Sequence, residues 1–90
     1  MAERHWALVL SPLSYNEKSQ LCVLCPITTK VKGYPFEVPL PEGHQVKGVV
    51  LADQVKSMSW DVRKAEYICK SPDDLAAKVR GMIKVVIKIV

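Results

Sequence analysis

The chain has 90 residues, enough for one small domain that buries only about 60–65% of its unfolded surface. With 49% hydrophobic and 24% charged residues it is no disordered tail. The net charge of +4 is compatible with a polyanionic partner without requiring one.

The three cysteines, Cys22, Cys25 and Cys69, are an odd number in a chain that shows no secretory segment, which predicts reduced thiols and a cytosolic setting. Residues 6–10 are too few for a signal core. The apolar stretch 83–90 is broken by Lys84 and Lys88, so it is not expected to enter a membrane. Cys22 and Cys25 have the spacing of a redox or zinc pair, but they lie in an apolar, β-branched run where positions three apart face opposite ways. Zinc would need further ligands, and only Cys69, His5 and His44 stand at irregular distances. Packing thiols are expected, with no metal and no cofactor.

In chain order, the apolar run 6–10 reads as a buried strand stopped by Ser11-Pro12. Residues 11–19 form a polar connection with one helical turn started at Pro12. Residues 20–29 are a second strand, in which Pro26 lacks a ladder donor and therefore predicts an edge position or a bulge. A loop at 30–35 leads to an alternating strand at 36–40, a turn at 41–45 and a buried strand at 48–53. Residues 57–60 are expected as a 3₁₀ or helical turn, and 65–70 alternate as a last strand.

The C-terminal helix has the fullest signature. Ser71 serves as N-cap, Pro72 opens the first turn, and Asp73 and Asp74 favour its positive end. Leu75, Val79, Met82, Ile83, Val86, Ile87 and Val90 then recur at helical spacing opposite Lys78, Lys84 and Lys88. Val85 and Ile89 widen that face enough to suggest burial against a second chain. The fold class is mainly β with a C-terminal α-helix, a small barrel or rolled antiparallel sheet.

Between Leu24 and Trp60, three apolar runs end in hydroxyl, carboxylate or amide side chains, and Lys30, Lys32, Lys47 and Lys56 mark their connections. Strands delivering such groups to a common basic rim point to an anionic ligand.

The strings LVLSP at 8–12, YN at 15–16, CPITT at 25–29, KGYPFEV at 32–38 and LADQVKS at 51–57 resemble, in order along nearly the whole chain, the MazF/PemK family of toxin endoribonucleases. The resemblance implies an SH3-like barrel of the kind shared with the CcdB gyrase poisons, formed by residues 1–90 as a single domain. It also implies a homodimer, a cognate antitoxin, and cytoplasmic, metal-independent cleavage of single-stranded RNA at short sequences. Attack of a ribose 2′-hydroxyl on the adjacent phosphorus needs a proton acceptor, a charge-stabilising donor and a proton donor to the leaving 5′-oxygen. By resemblance, Thr28 is the catalytic threonine on the scissile phosphate and Asp53 an acidic position used in some members. Gln54 and Lys56 line the RNA path, and Lys30, Lys32 and Tyr34 sit in the loop used on RNA or antitoxin. Tyr34 and Trp60 are rings on which unpaired bases can stack.

The chain departs from the family at its start. Members open with an additional strand, a glycine-rich loop carrying an acidic residue, and an Arg-Pro pair whose arginine is the principal catalytic group. Here His5-Trp6 stands at that pair, so the barrel is expected to be incomplete at the N-terminus. Arg4 lies one residue early, and in a strand a one-residue shift turns its side chain to the other face. His5, of a residue type with a reference pKa of about 6.5, is the other candidate for proton transfer, and Glu3 a weak stand-in for the acidic loop residue. Two alternatives follow: a catalytically impaired relative that binds antitoxin or RNA without efficient cleavage, and a topoisomerase-binding toxin on the same fold.

Overall fold

The computed structural model describes residues 6–60, 71 and 74–87. They form five strands and two helices: β1 (Trp6–Val9), α1 (Leu13–Ser19), β2 (Leu21–Thr28), β3 (Glu37–Pro39), β4 (Val49–Leu51), β5 (Lys56–Ser59) and α2 (Leu75–Ile87). A 3₁₀ turn, Ala52–Gln54, joins β4 to β5. All pairings are antiparallel, in the order β1-β2-β4-β3, with β5 also paired to β2.

β2 is the axis of this sheet. One side carries β1, from Trp6 opposite Ile27 to Val9 opposite Leu24. The other carries two strands end to end: β5 opposite Leu21 to Leu24, and β4 opposite Ile27 and Thr28. Pro26 is therefore not on an edge strand. The Leu10 N–H donates to the Val23 carbonyl at 2.8 Å, which turns the polar groups of residues 23, 25 and 27 toward β1. The missing donor of Pro26 then faces the opposite side, at the place where the chain of β4 leaves the ladder as the 3₁₀ turn. No pairing on that side includes residue 26, which lies between the β5 partners ending at Leu24 and the β4 partners starting at Ile27, so the proline interrupts no ladder bond.

Residues 57–60 were expected to turn, yet Ser57, Met58 and Ser59 belong to β5, with Met58 opposite Cys22. Pairing with an existing strand overrides weak local preference. Asp53, expected to end a strand, stands in the 3₁₀ turn. The connection after Pro12 is longer than the single turn expected: α1 runs Leu13–Ser19, ending at Gln20 with φ +62°. Ser11 Oγ accepts the Val23 N–H at 2.9 Å and donates to Asn16 Oδ1 at 2.5 Å, tying α1 to β2. The expected strand at 65–70 and the helix-opening pair Pro72-Asp73 lie outside the described residues, as do Arg4 and His5.

Among the described residues the main core cluster is Leu8, Cys25, Val38, Val50, Ala52, Leu75 and Val79. Leu75 and Val79 of α2 lie against the 3₁₀ turn and β3, with Met82 and Ile83 beside them. Fully burying side chains of this kind contributes about 1.5–3 kcal/mol each. The helix docks through its first half, and Val85, Val86 and Ile87 remain exposed. Cys22 and Cys25 are both buried free thiols. Burial pushes the Cys25 thiol from its ordinary 9.0 up to about 11, with the Asp53 carboxylate adding to the shift. Burial also raises Cys22.

Candidate functional site

Thr28 ends β2 half-buried, opposite Val49. Its position depends on the residue preceding β4. Gly48 has φ +123°, and a Cβ there would overlap the Thr28 carbonyl oxygen and lie 2.8 Å from its carbon. Only glycine lets the two backbones meet this closely. The Lys30 N–H donates to Thr28 Oγ1 at 3.1 Å. A hydroxyl has two acceptor lone pairs and one proton, so this bond uses a lone pair and leaves the proton available to an incoming oxygen.

Lys30 and Lys32 are exposed on the loop that leaves Thr28. Lys47 is exposed on the other chain, beside Gly48. A cleft of about 290 Å³ lined by Leu40, Pro41, Glu42, Gly43, Lys47 and Gly48 opens there. Lys47 was legible only as one of four lysines, because its nearness to Thr28 follows from the pairing of β4 with β2.

The loop returns to β3 through Glu37. This carboxylate accepts three backbone N–H groups: Oε2 from Lys32 at 3.1 Å, and Oε1 from Gly33 at 3.0 Å and Tyr34 at 3.2 Å. Gly33 has φ +77°, which turns these successive N–H groups inward. The Tyr34 ring packs against Phe36 with centroids 5.6 Å apart and planes at 58°. The nearby Asp53 carboxylate, an acceptor and a negative charge, raises the phenol pKa. Asp53 thus faces both the exposed Tyr34 and the buried Cys25.

The expected site residues fall into separate places. Thr28 and Lys30 are joined directly, while Tyr34 and Asp53 meet across the loop and the 3₁₀ turn. Gln54 is exposed in that turn, and Lys56, opposite Leu24, lies roughly 13 Å along β2 from Thr28 at about 3.3 Å per residue. Trp60 is not brought to Thr28. It follows Ser59, which pairs with Leu21 at the far end of β2, roughly 23 Å from Thr28 by the same rise. Its indole N–H donates to the Asn16 carbonyl at 3.0 Å, and the ring is half-buried. Among the described residues, no three His, Cys, Asp or Glu side chains gather as a metal site.

The pattern of the PemK-like, MazF-like toxins of type II toxin–antitoxin systems matches residues 1–87. The chain belongs to this family. It is 56% identical over 59 residues to the endoribonuclease toxin MazF of Escherichia coli K12, a match that takes in 66% of this chain and 52% of that protein. The chain thus spans about half the length of the curated relatives it matches. The crystal structure of MazE–MazF from Deinococcus radiodurans superposes with a TM-score of 0.92 at 46% identity, covering 97% of this chain and 88% of the other. A mycobacterial endoribonuclease in complex with its cognate antitoxin has a TM-score of 0.77 at 18% identity, over 93% of this chain and 81% of that one, a likeness of fold alone. The antiparallel sheet with a C-terminal helix is therefore the MazF fold, with which an SH3-like barrel is compatible. Among the described residues, no helix is long and apolar enough to cross a membrane.

Proposed function

We propose that this MazF-family chain is a toxin endoribonuclease that cleaves single-stranded RNA at short sequences. In this reading residues 1–90 act as one domain, pair as a homodimer, and are held inactive in the cytoplasm by a cognate antitoxin. One observation carries the reading. Thr28 Oγ1 accepts the Lys30 N–H and so keeps its proton for a phosphate oxygen, beside lysines on both flanking chains.

The reaction runs by attack of the ribose 2′-oxygen on the adjacent phosphorus while the 5′-oxygen leaves. One proton passes from the 2′-hydroxyl to a base and another reaches the departing oxygen, giving a 2′,3′-cyclic phosphate and a 5′-hydroxyl. Thr28 donates to a non-bridging oxygen as negative charge builds on it. Lys30, Lys32 and Lys47 hold neighbouring phosphates, and Lys56 and Gln54 carry the strand onward. Tyr34 offers its exposed ring to a base. Arg4 and His5 are the candidates for proton transfer, and the Asp53 carboxylate lies near the Tyr34 phenol. Trp60 serves α1 rather than the reacting phosphate.

The test is cleavage of an unstructured RNA in EDTA with analysis of the product ends. Thr28→Ala is expected to slow cleavage by about 10²–10³-fold, the usual loss for one preorganised donor. Intact RNA at high protein concentration, or a rate indifferent to Thr28→Ala, sinks the reading. His5-Trp6 in the place of the family's Arg-Pro favours a second reading, a weak nuclease that still binds RNA or antitoxin. His5→Arg separates the two, since a large gain in rate belongs only to the second.

A further inference from the structure

We propose that Glu37 is the positioning residue of the loop between β2 and β3, the carboxylate that holds Lys32, Gly33 and Tyr34 where a nucleic-acid strand meets them. The assignment rests on the RNA-cleaving reading above, but its geometric part stands without it.

Four observations converge on Glu37. It is the first residue of β3, paired with Leu51, so its backbone is fixed by the sheet. The neighbouring Phe36 carbonyl accepts the Ala52 N–H at 3.1 Å, extending that fixation to the start of the 3₁₀ turn. Its two carboxylate oxygens together take the N–H groups of Lys32, Gly33 and Tyr34. Those bonds are charge-assisted and stronger than neutral ones, on a loop whose residues 29–35 are all exposed and lack a core of their own. Further along the loop, the Glu37 N–H donates to the Tyr34 carbonyl at 3.1 Å, closing the last turn. The other end is tied by Thr28 Oγ1. The loop is thus held at both ends by side chains from strands, and Glu37 makes most of those bonds.

Charge and position predict opposite effects of one substitution. Glu37 is a negative group among lysines, so if only its charge mattered, Glu37→Gln would tighten RNA binding. As a positioning residue its loss loosens the loop and weakens binding. We expect the Lys32, Gly33 and Tyr34 amides of the E37Q chain to exchange with solvent about tenfold faster or more, with Val50 and Leu51 unchanged as evidence of folding. For cleavage of a short single-stranded RNA, KM should rise about 5–20-fold while kcat stays within about twofold, because Thr28 keeps its own bond. Lys32→Ala should cost clearly less in the E37Q background than in the wild type, since a loosened loop no longer presents that lysine.

Unchanged exchange at the three amides overturns the proposal whatever happens to RNA. Tighter binding by E37Q, or additive effects of E37Q and Lys32→Ala, overturns the positioning role. A wild type that cleaves no RNA removes the proposed function instead, and binding of the same RNA with the exchange data then decides the role of Glu37.

Discussion

Gly48 shows how much one missing methyl group can decide. It permits the close approach that sets Thr28, and its φ of +123° is one that other residues avoid. Gly48→Ala is expected to cost on the order of 2–4 kcal/mol, from backbone strain and from overlap with Thr28, and to depress cleavage more than the lost folded fraction explains. A denaturant melt alongside an initial-rate assay checks both parts. Wild-type stability and rate would show that the two backbones are not in contact. A glycine opening a strand is a recognised mark of close approach, but its partner Thr28 lies twenty residues away and emerges only from the register. Cys25 gives a second prediction at this scale. Its thiol stays protonated in the fold until about pH 11, whereas an unfolded thiol ionises near its ordinary 9.0. Between those values the folded chain binds the extra proton, so stability falls as pH rises, and below about 9 this group leaves stability flat. Thermal melts from pH 7 to 11 should show the decline, and Cys25→Ser should remove its share of the slope.

At the scale of elements, periodicity located most of the structure. The runs at 6–10, 20–29, 36–40 and 48–53 became β1 to β4 with trimmed ends. The spacing of Leu75 and Val79 marked the buried face of α2. What failed was local reading where tertiary pairing decides. Residues 56–59 have no strong strand signature, yet β2 offers them a free ladder, and Pro26 sits mid-sheet because the neighbouring chain departs at that point. Glu37 stands in a segment that the sequence marks only as an alternating strand. Its grip on three loop amides is a matter of loop geometry that alternation does not encode. The helix supplies a prediction. Val79 is fully buried and Val85 is 64% exposed, so Val79→Ala should cost about 1–3 kcal/mol and Val85→Ala should change stability by less than about 0.5. Equal effects in urea unfolding would mean that α2 does not dock through its first half.

For the molecule as a whole, charge placement matters more than net charge. A value of +4 says little, but Lys30, Lys32 and Lys47 gather around the end of β2, and Lys56 continues along it. If about three or four of these lysines meet phosphates, the logarithm of RNA affinity should fall against the logarithm of salt with a slope of roughly −2 to −3. Removing any one should reduce the slope by about 0.7, as measured by fluorescence anisotropy of a short single-stranded RNA. A slope near zero would leave the lysines as ordinary solvated surface. The family was legible in the motifs, while the separation of Trp60 from Thr28 and the grip of Glu37 needed the fold.

The Glu37 clamp has one consequence for how such a protein can change. It holds the loop by main-chain N–H groups, which every residue except proline supplies, and it ignores the side chains at 32 and 34. Gly33 is constrained by its left-handed backbone, and Tyr34 by the packing of its ring on Phe36. The loop is therefore a mount separate from what is mounted on it. If the chain cleaves RNA as proposed, substitutions at 30, 31 and 32 would change which nucleotides are read while Thr28 and the sheet stay as they are, so recognition would be free to diversify without rebuilding the chemistry.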